Sequence, residues 1–213
     1  MNEYDAYLFD GDGTLYDTAD MIYRCFQDIC QKFRGFDIEK KRVYDTIGLP
    51  FDQQLNDFIG PLADGEYDEI MISYRAFQEN IFKDSVKLFP EIKETLAELK
   101  SRGKKMAVVT SRKLPSVTKY LKYTDIFSYF DVLITPESTL KHKPNPEPAF
   151  EALKQLDINA KDALFVGDAI FDIECGRGAG VDTAYVNWSF ADNHPDNINA
   201  TYYLNGIRDI LKW

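Results

Sequence analysis

The stretch YLFDGDGTLYD, residues 7–17, ends an apolar run with two aspartates, Asp10 and Asp12, set two apart among glycines. Such a run, broken by Asp and Gly, reads as a buried strand opening into a loop. Two carboxylates brought to ~4 Å at an effective dielectric of ~20 repel by about 4 kcal/mol. Either they splay into water or a cation stands between them, and the rest of the chain decides which.

Bulk properties narrow the field. The 213 residues, 45% hydrophobic and 14% aromatic, give a globular composition and enough length for one well-buried core with room for a small second domain. A formal net charge of -10 argues against nucleic acid and against anionic membranes as partners. An anionic small molecule remains compatible if cations gather locally. No apolar run approaches the ~20 residues that a spanning helix needs. The opening MNEYDAYLF has no basic n-region and no signal-like apolar core, and Cys25, Cys30 and Cys175 lack C-x-x-C spacing. These features predict a cytoplasmic protein with reduced thiols and no zinc site.

Outward from the opening stretch, short apolar runs alternate with helical patterns. AYLF (6–9), MAVVT (106–110), DVLIT (131–135), ALFVG (163–167) and TAYVNW (183–188) each read as a strand buried on both faces. PEIKETLAELKSRG (90–103) reads as a helix with Pro90 at its first position and Gly103 as its stop, and PEPAFEALKQL (146–156) as another entered through proline. Strands alternating with helices predict an α/β fold with a Rossmann-like parallel sheet, whose ligands gather at the carboxyl ends of the strands. Residues 17–87 break this rhythm. Ile22, Phe26, Ile29 and Phe33 recur at helical spacing, as do Phe51, Leu55 and Phe58, and again Tyr67, Ile70, Tyr74, Phe77 and Ile81. Asp37 reads as the cap of a further helix carrying Val43 and Ile47 and stopping at Gly48. About four helices are therefore expected as an inserted all-helical cap domain over 17–87. The α/β core would comprise 1–16 and 88–213.

Polar residues collect at the predicted strand ends. The first strand runs into Asp10-Gly11-Asp12-Gly13-Thr14 and the second ends in Thr110-Ser111, followed by Arg112 and Lys113. The third leads to Lys141, His142 and Lys143, and the fourth ends in Asp168 with Asp172 four residues on. Each alone has an ordinary explanation: a solvated turn, a helix cap, a first-turn acid. Their conjunction on one sheet edge does not. GRGAG (176–180) does not open a helix after a strand and reads as close packing at a helix end. His142 and His194 stand apart and read as solvated, and Arg112 and Lys113 as a solvated helix start or a steering pair for an anion.

In these features the chain resembles the haloacid dehalogenase superfamily, specifically its phosphatases with a helical cap after the first motif, phosphoglycolate phosphatase among them. The signatures are DGDGTL (10–15), VVTS (108–111), HKPNPEP (142–148) and GDAIFD (167–172). The resemblance implies that Asp10 is the nucleophile forming an aspartyl-phosphate and Asp12 the general acid/base. It implies that Thr110 and the Ser111 backbone hold the phosphoryl group and that Lys143 neutralises Asp10 and the phosphate. Asp10, the Asp12 carbonyl and Asp168 would hold Mg2+, with Asp172 completing the site or standing just behind it. Three positions depart from the family pattern. Gly11 replaces a bulkier apolar residue, which predicts a looser loop; Ser111 replaces a frequent asparagine; and Glu91 stands where glycine is common.

The residue chemistry agrees independently. A carboxylate can attack phosphorus and split hydrolysis into two easier steps. A second carboxyl can protonate the leaving oxygen and then deprotonate water. A hard divalent cation with oxygen ligands, helped by a lysine, would relieve the crowding of acids and phosphate. The leading expectation is a Mg2+-dependent phosphoric monoester hydrolase acting on a small phosphorylated substrate. Rivals within the family are an inorganic pyrophosphatase and a sugar phosphomutase. From another class, a receiver-like signalling module is disfavoured, because it has no cap insertion. The physiological substrate, and whether the protein is monomer or dimer, stay open in the sequence.

Overall fold

A computed structural model describes residues 3–189 and 198–213. Six parallel strands form one sheet: β1 (Ala6–Phe9), β4 (Lys105–Val109), β5 (Val132–Ile134), β6 (Ala163–Gly167), β7 (Asp182–Val186) and β8 (Tyr202–Leu204). Their order is β5-β4-β1-β6-β7-β8, so the strand carrying Asp10 lies in the middle. Leu8 pairs with Ala107 on one side and with Phe165 on the other.

Alternation along the strands sorts their side chains onto two faces. Ala6, Leu8, Ala107, Val109, Ala163 and Phe165 pack against α7 (Glu147–Leu156) and Cys175 of α8 (Ile170–Gly178). Tyr7, Phe9, Met106, Val108, Leu164 and Val166 join α5 (Ile92–Ser101), α6 (Leu114–Tyr123) and the C-terminal 3-10 turn Ile207–Lys212. The result is an α/β/α sandwich, the Rossmann-like class that the sequence predicts.

Four helices lie between the first strand and the rest of the sheet: α1 (Ala19–Arg34), α2 (Lys40–Tyr44), α3 (Phe51–Ile59) and α4 (Glu66–Ser85). Phe26 is their centre, in ring contact with Phe51, Phe58 and Tyr74. The chain enters and leaves this block through a two-stranded antiparallel ribbon, β2 (Tyr16–Asp17) with β3 (Lys87–Leu88). The block also rests on the sandwich. Phe82 of α4 meets Tyr120 and Tyr123 of α6, and the Tyr120 hydroxyl reaches Met21 Sδ at 3.6 Å.

Several local expectations need correction. Pro90 lies outside α5, whose N-cap is Glu91 at φ 61. That is the left-handed region a glycine enters without steric cost. Asp37 does not cap α2, whose N-cap is Glu39; its carboxylate instead accepts from Gln27 and Gln31 of α1. β8 was not expected: three residues carry no readable period, and pairing with β7 alone makes them a strand. GRGAG behaves as predicted, since a Cβ on Gly176 would come within 2.6 Å of Thr183 Cγ2.

Phe165 is fully buried between β1 and α7. Phe165→Ala should destabilise the protein by about 3–5 kcal/mol, read as a lowered denaturation midpoint with unchanged slope.

Candidate active site

The sheet brings the strand ends together as the alternating pattern requires. Asp10 follows β1, Thr110 and Ser111 follow β4, Lys143 sits in the loop after β5, Asp168 follows β6, and Asp172 lies in the first turn of α8. Lys143 is the hub. Its Nζ donates to Asp10 Oδ1 at 2.6 Å, to Asp172 Oδ1 at 2.6 Å and to the Val109 carbonyl at 3.1 Å, all buried. Three donors with three acceptors satisfy the ammonium completely.

Asp10, Asp168 and Asp172 each offer a carboxylate oxygen within 4.8 Å of the others, and all three residues are buried. Burial, with Asp172 and Asp168 beside it, raises the Asp10 carboxyl well above the usual carboxylate range even though Lys143 opposes the shift. Asp168 is pushed up to about 7, by burial first and by Asp172 second. It is held by Thr14 Oγ1 at 3.1 Å and Ser189 Oγ at 2.7 Å. Gly13, at φ 84, makes room for it: a Cβ there would stand 2.1 Å from Asp168 Oδ2. Asp172 spends one oxygen on Lys143 and the other on the Ala169 N–H at 3.0 Å. Asp10 keeps its Oδ2 free of these bonds, and Asp168 is held by neutral hydroxyls rather than by a cation, so these two carboxylates are the ones placed to face a metal ion. An all-oxygen, buried and mutually repelling donor set is the kind that a hard divalent cation fits.

Asp12 points elsewhere. Arg112 grips it with both prongs, Nε to Oδ2 at 2.8 Å and Nη2 to Oδ1 at 2.6 Å, and Thr18 Oγ1 also donates to Oδ1. Arg112 in turn lies on the face of Tyr120, 4.2 Å from the ring centroid. The repulsion posed by Asp10 and Asp12 is thus relieved by two cations of the chain itself, Lys143 for one carboxylate and Arg112 for the other. Arg112 is no solvated helix start. Its place directly after Thr110-Ser111 at a strand end was the available signal. Ser189 carried the same signal, following the strand predicted over 183–188.

Ser111 Oγ donates to the Gly48 carbonyl at 2.6 Å, tying the β4 strand end to the loop between α2 and α3. Thr110, Ser111, His142 and Lys143 line a narrow cleft. His142 is half-buried there, and His194 lies outside the described residues. The loop at Gly11 is not loose, because the Tyr16 ring occupies the space that a side chain there would take.

A family model described as haloacid dehalogenase-like hydrolase matches residues 7–186. The chain belongs to the haloacid dehalogenase-like hydrolases. It is 33% identical over 205 residues to the pyrophosphatase PpaX of Bacillus cereus, an alignment covering 96% of this chain and 93% of that one. Among solved structures, a predicted phosphoglycolate phosphatase from Haemophilus somnus superposes with a TM-score of 0.89 at 24% identity, covering 100% of this chain and 98% of that one. A β-phosphoglucomutase from Clostridium difficile superposes at 0.83 with 19% identity, covering 98% and 96%. Within this hydrolase family the chain is a phosphatase-type enzyme. Among the described residues no helix is long and apolar enough to cross a membrane.

The raised Asp168 carboxyl has a consequence for stability. Its folded pKa of about 7 exceeds the unfolded value of ~3.9, so between these the folded state binds the extra proton. This group's contribution to stability is therefore present at about pH 4 and is lost as the pH rises through 7. Asp168→Asn should remove that slope, so that metal-free wild type and variant differ more in melting temperature at pH 8 than at pH 5, with the variant the more stable.

Proposed function

We propose that the protein is a Mg2+-dependent phosphohydrolase that turns over a small phosphate compound through an aspartyl-phosphate on Asp10. The observation that carries this reading is the buried cluster of Asp10, Asp168 and Asp172 at the strand ends, with Lys143 paired to Asp10 and Asp172.

The donor set fits Mg2+, which Asp10, Asp168 and the Asp12 carbonyl would hold, with Asp172 fixing Lys143 behind them. When bound, the ion would supply charge neutralisation of the phosphoryl oxygens. Asp10 attacks phosphorus while the bond to the leaving oxygen breaks, and Asp12 gives that oxygen its proton. Asp12 then takes a proton from the water that cleaves the acyl phosphate, and Asp10 is restored. For this role its carboxylate turns away from Arg112 and Thr18. Thr110 Oγ1 and the Ser111 N–H orient the phosphoryl oxygens, and Lys143 balances their charge.

The preferred substrate is a small, phosphoglycolate-like ester. Inorganic pyrophosphate is the second reading, favoured by the pyrophosphatase name of the Bacillus cereus relative. A sugar phosphomutase activity draws support only from neighbours alike in fold. The helices of residues 17–87 act as a cap domain on the core of 1–16 and 88–213, hinged at the β2–β3 ribbon and closed by the Ser111–Gly48 hydrogen bond. Closure excludes water and bulky substrates. Three buried free cysteines agree with a cytoplasmic, reducing setting.

A phosphate-release screen over phosphoglycolate, pyrophosphate, sugar phosphates and nucleoside monophosphates tests the reading. Turnover should require Mg2+, stop in excess chelator and recover less with Ca2+, whose preferred ligand shell is larger. Asp10→Asn should fold and lose at least about a thousandfold in kcat, since an amide cannot form the acyl phosphate. Chelator-resistant turnover, or appreciable turnover by Asp10→Asn, would overturn it.

The closing contact can be tested separately. Ser111→Ala keeps the backbone N–H and deletes one hydrogen bond to the cap, so KM should rise about fivefold with a smaller change in kcat. An unchanged KM would remove Ser111 from cap closure.

A further inference from the structure

Tyr16, in β2 at the foot of the cap, is fully buried, and its phenolic oxygen has no hydrogen-bond partner among the described residues. Other deeply buried tyrosines are not left so. Tyr4 donates to Asp182 at 2.6 Å, Tyr7 to the Trp213 carbonyl at 3.2 Å, Tyr120 to Met21 Sδ at 3.6 Å, and Tyr74 accepts from Gln78 at 3.4 Å. An unpaired buried hydroxyl gives up its hydration with nothing in return, and phenylalanine would fill the same space without that loss. Thr95 Oγ1 in α5 shares this condition, but Tyr16 Oη is the one that lies against the loop carrying Asp10 and Asp12.

The Tyr16 hydroxyl lies 2.5 Å from the point where a Cβ on Gly11 would be, and Gly11 separates the nucleophile Asp10 from the acid Asp12. Glycine at 11 and tyrosine at 16 form one device: the first leaves a space beside the nucleophile, and the second fills it with a polar tip. The ring meets Tyr120 edge-on at 5.7 Å, and Tyr120 carries Arg112 on its face. Asp12, Arg112 and Asp10 are the charges that act most strongly on the phenol; burial and Asp12 keep it protonated, hence always a donor. The transferred phosphoryl group is served by Thr110, the Ser111 N–H and Lys143. Tyr16 stands instead with Asp12, which serves the leaving oxygen.

We propose that Tyr16 Oη is a substrate contact, donating a hydrogen bond to an anionic oxygen on the leaving-group half of the substrate. This rests on the phosphohydrolase reading and narrows its substrate class. The fitting substrates are small phosphates whose leaving group carries its own anionic oxygen, such as the carboxylate of a 2-phosphoryloxy acid or the second phosphate of pyrophosphate. The phenol keeps its proton throughout, and Asp12 alone transfers one.

The test is Tyr16→Phe, which removes a single oxygen. Its melting temperature should equal or exceed that of wild type, because no hydrogen bond of the free protein is lost. On phosphoglycolate or pyrophosphate, kcat/KM should fall by about tenfold or more, the size expected for a hydrogen bond to a charged group. On p-nitrophenyl phosphate, whose leaving group offers no anionic oxygen there, the fall should be much smaller. Calorimetry in the presence of Mg2+ gives a readout free of turnover: methylenediphosphonate or phosphonoacetate should bind about tenfold more weakly to the variant, with inorganic phosphate little changed. Equal loss for inorganic phosphate would place the contact on the transferred group and overturn the proposal. So would unchanged binding of the diphosphonate and phosphonoacetate, meaning that the hydroxyl holds a water or nothing, and so would a clear drop in melting temperature. If wild type turned over none of these compounds, the phosphohydrolase reading would fail while the binding comparison still decided the role of Tyr16.

Discussion

Lys143 holds together what the sheet brings near. Three carboxylates and the Thr110-Ser111 strand end converge where β1, β4 and β6 stop, and the repulsion among the carboxylates would open that edge. One ammonium, bonded to Asp10, Asp172 and the Val109 carbonyl, ties the loop after β5 to the ends of β1 and β4 and to α8. Breaking a buried pair of this kind costs about 3–5 kcal/mol, because the surviving charge stays behind without compensation. The position of Lys143 is therefore a constraint on the fold as much as on the chemistry. The long loop after β5 is pinned by it to the middle of the sheet.

Arg112 does for Asp12 what Lys143 does for Asp10, with a different geometry. A planar fork grips both oxygens and lies on an aromatic face, so the carboxylate is held in one orientation rather than merely neutralised. The two aspartates two residues apart consequently see different surroundings. One is sealed with Lys143 among like charges; the other is largely buried and clamped by the Arg112 guanidinium. Divergent environments are how two chemically identical groups come to do different work in one site.

Much of this was legible in the sequence because it rests on period and position. Strands buried on both faces announce themselves as apolar runs, and the residues just beyond them must share an edge, which located Asp10, Thr110, Lys143, Asp168 and Asp172. The four helices between β2 and β3 were readable from the spacing around Phe26 and Tyr74. Lost to the sequence were features that depend on tertiary geometry. β8 is a strand only through its neighbour, and the Asp12–Arg112 grip joins residues that no local pattern relates. Gly11 looked like a loosened loop because the residue that fills its space lies five positions on. No local pattern announced that Glu91 takes up a left-handed backbone at the start of α5.

The central place of β1 has a consequence for how the chain acquires its structure. Leu8 is among the first residues made, yet its partners Ala107 and Phe165 belong to much later segments. Contacts of such sequence separation are slow to form. During synthesis the four cap helices, whose contacts are local, emerge and pack first, while β1 waits with both edges unpaired. An apolar strand in that condition invites pairing with another chain. The aspartates that close it, Asp10 and Asp12, put charge at its end through that interval, which disfavours such pairing.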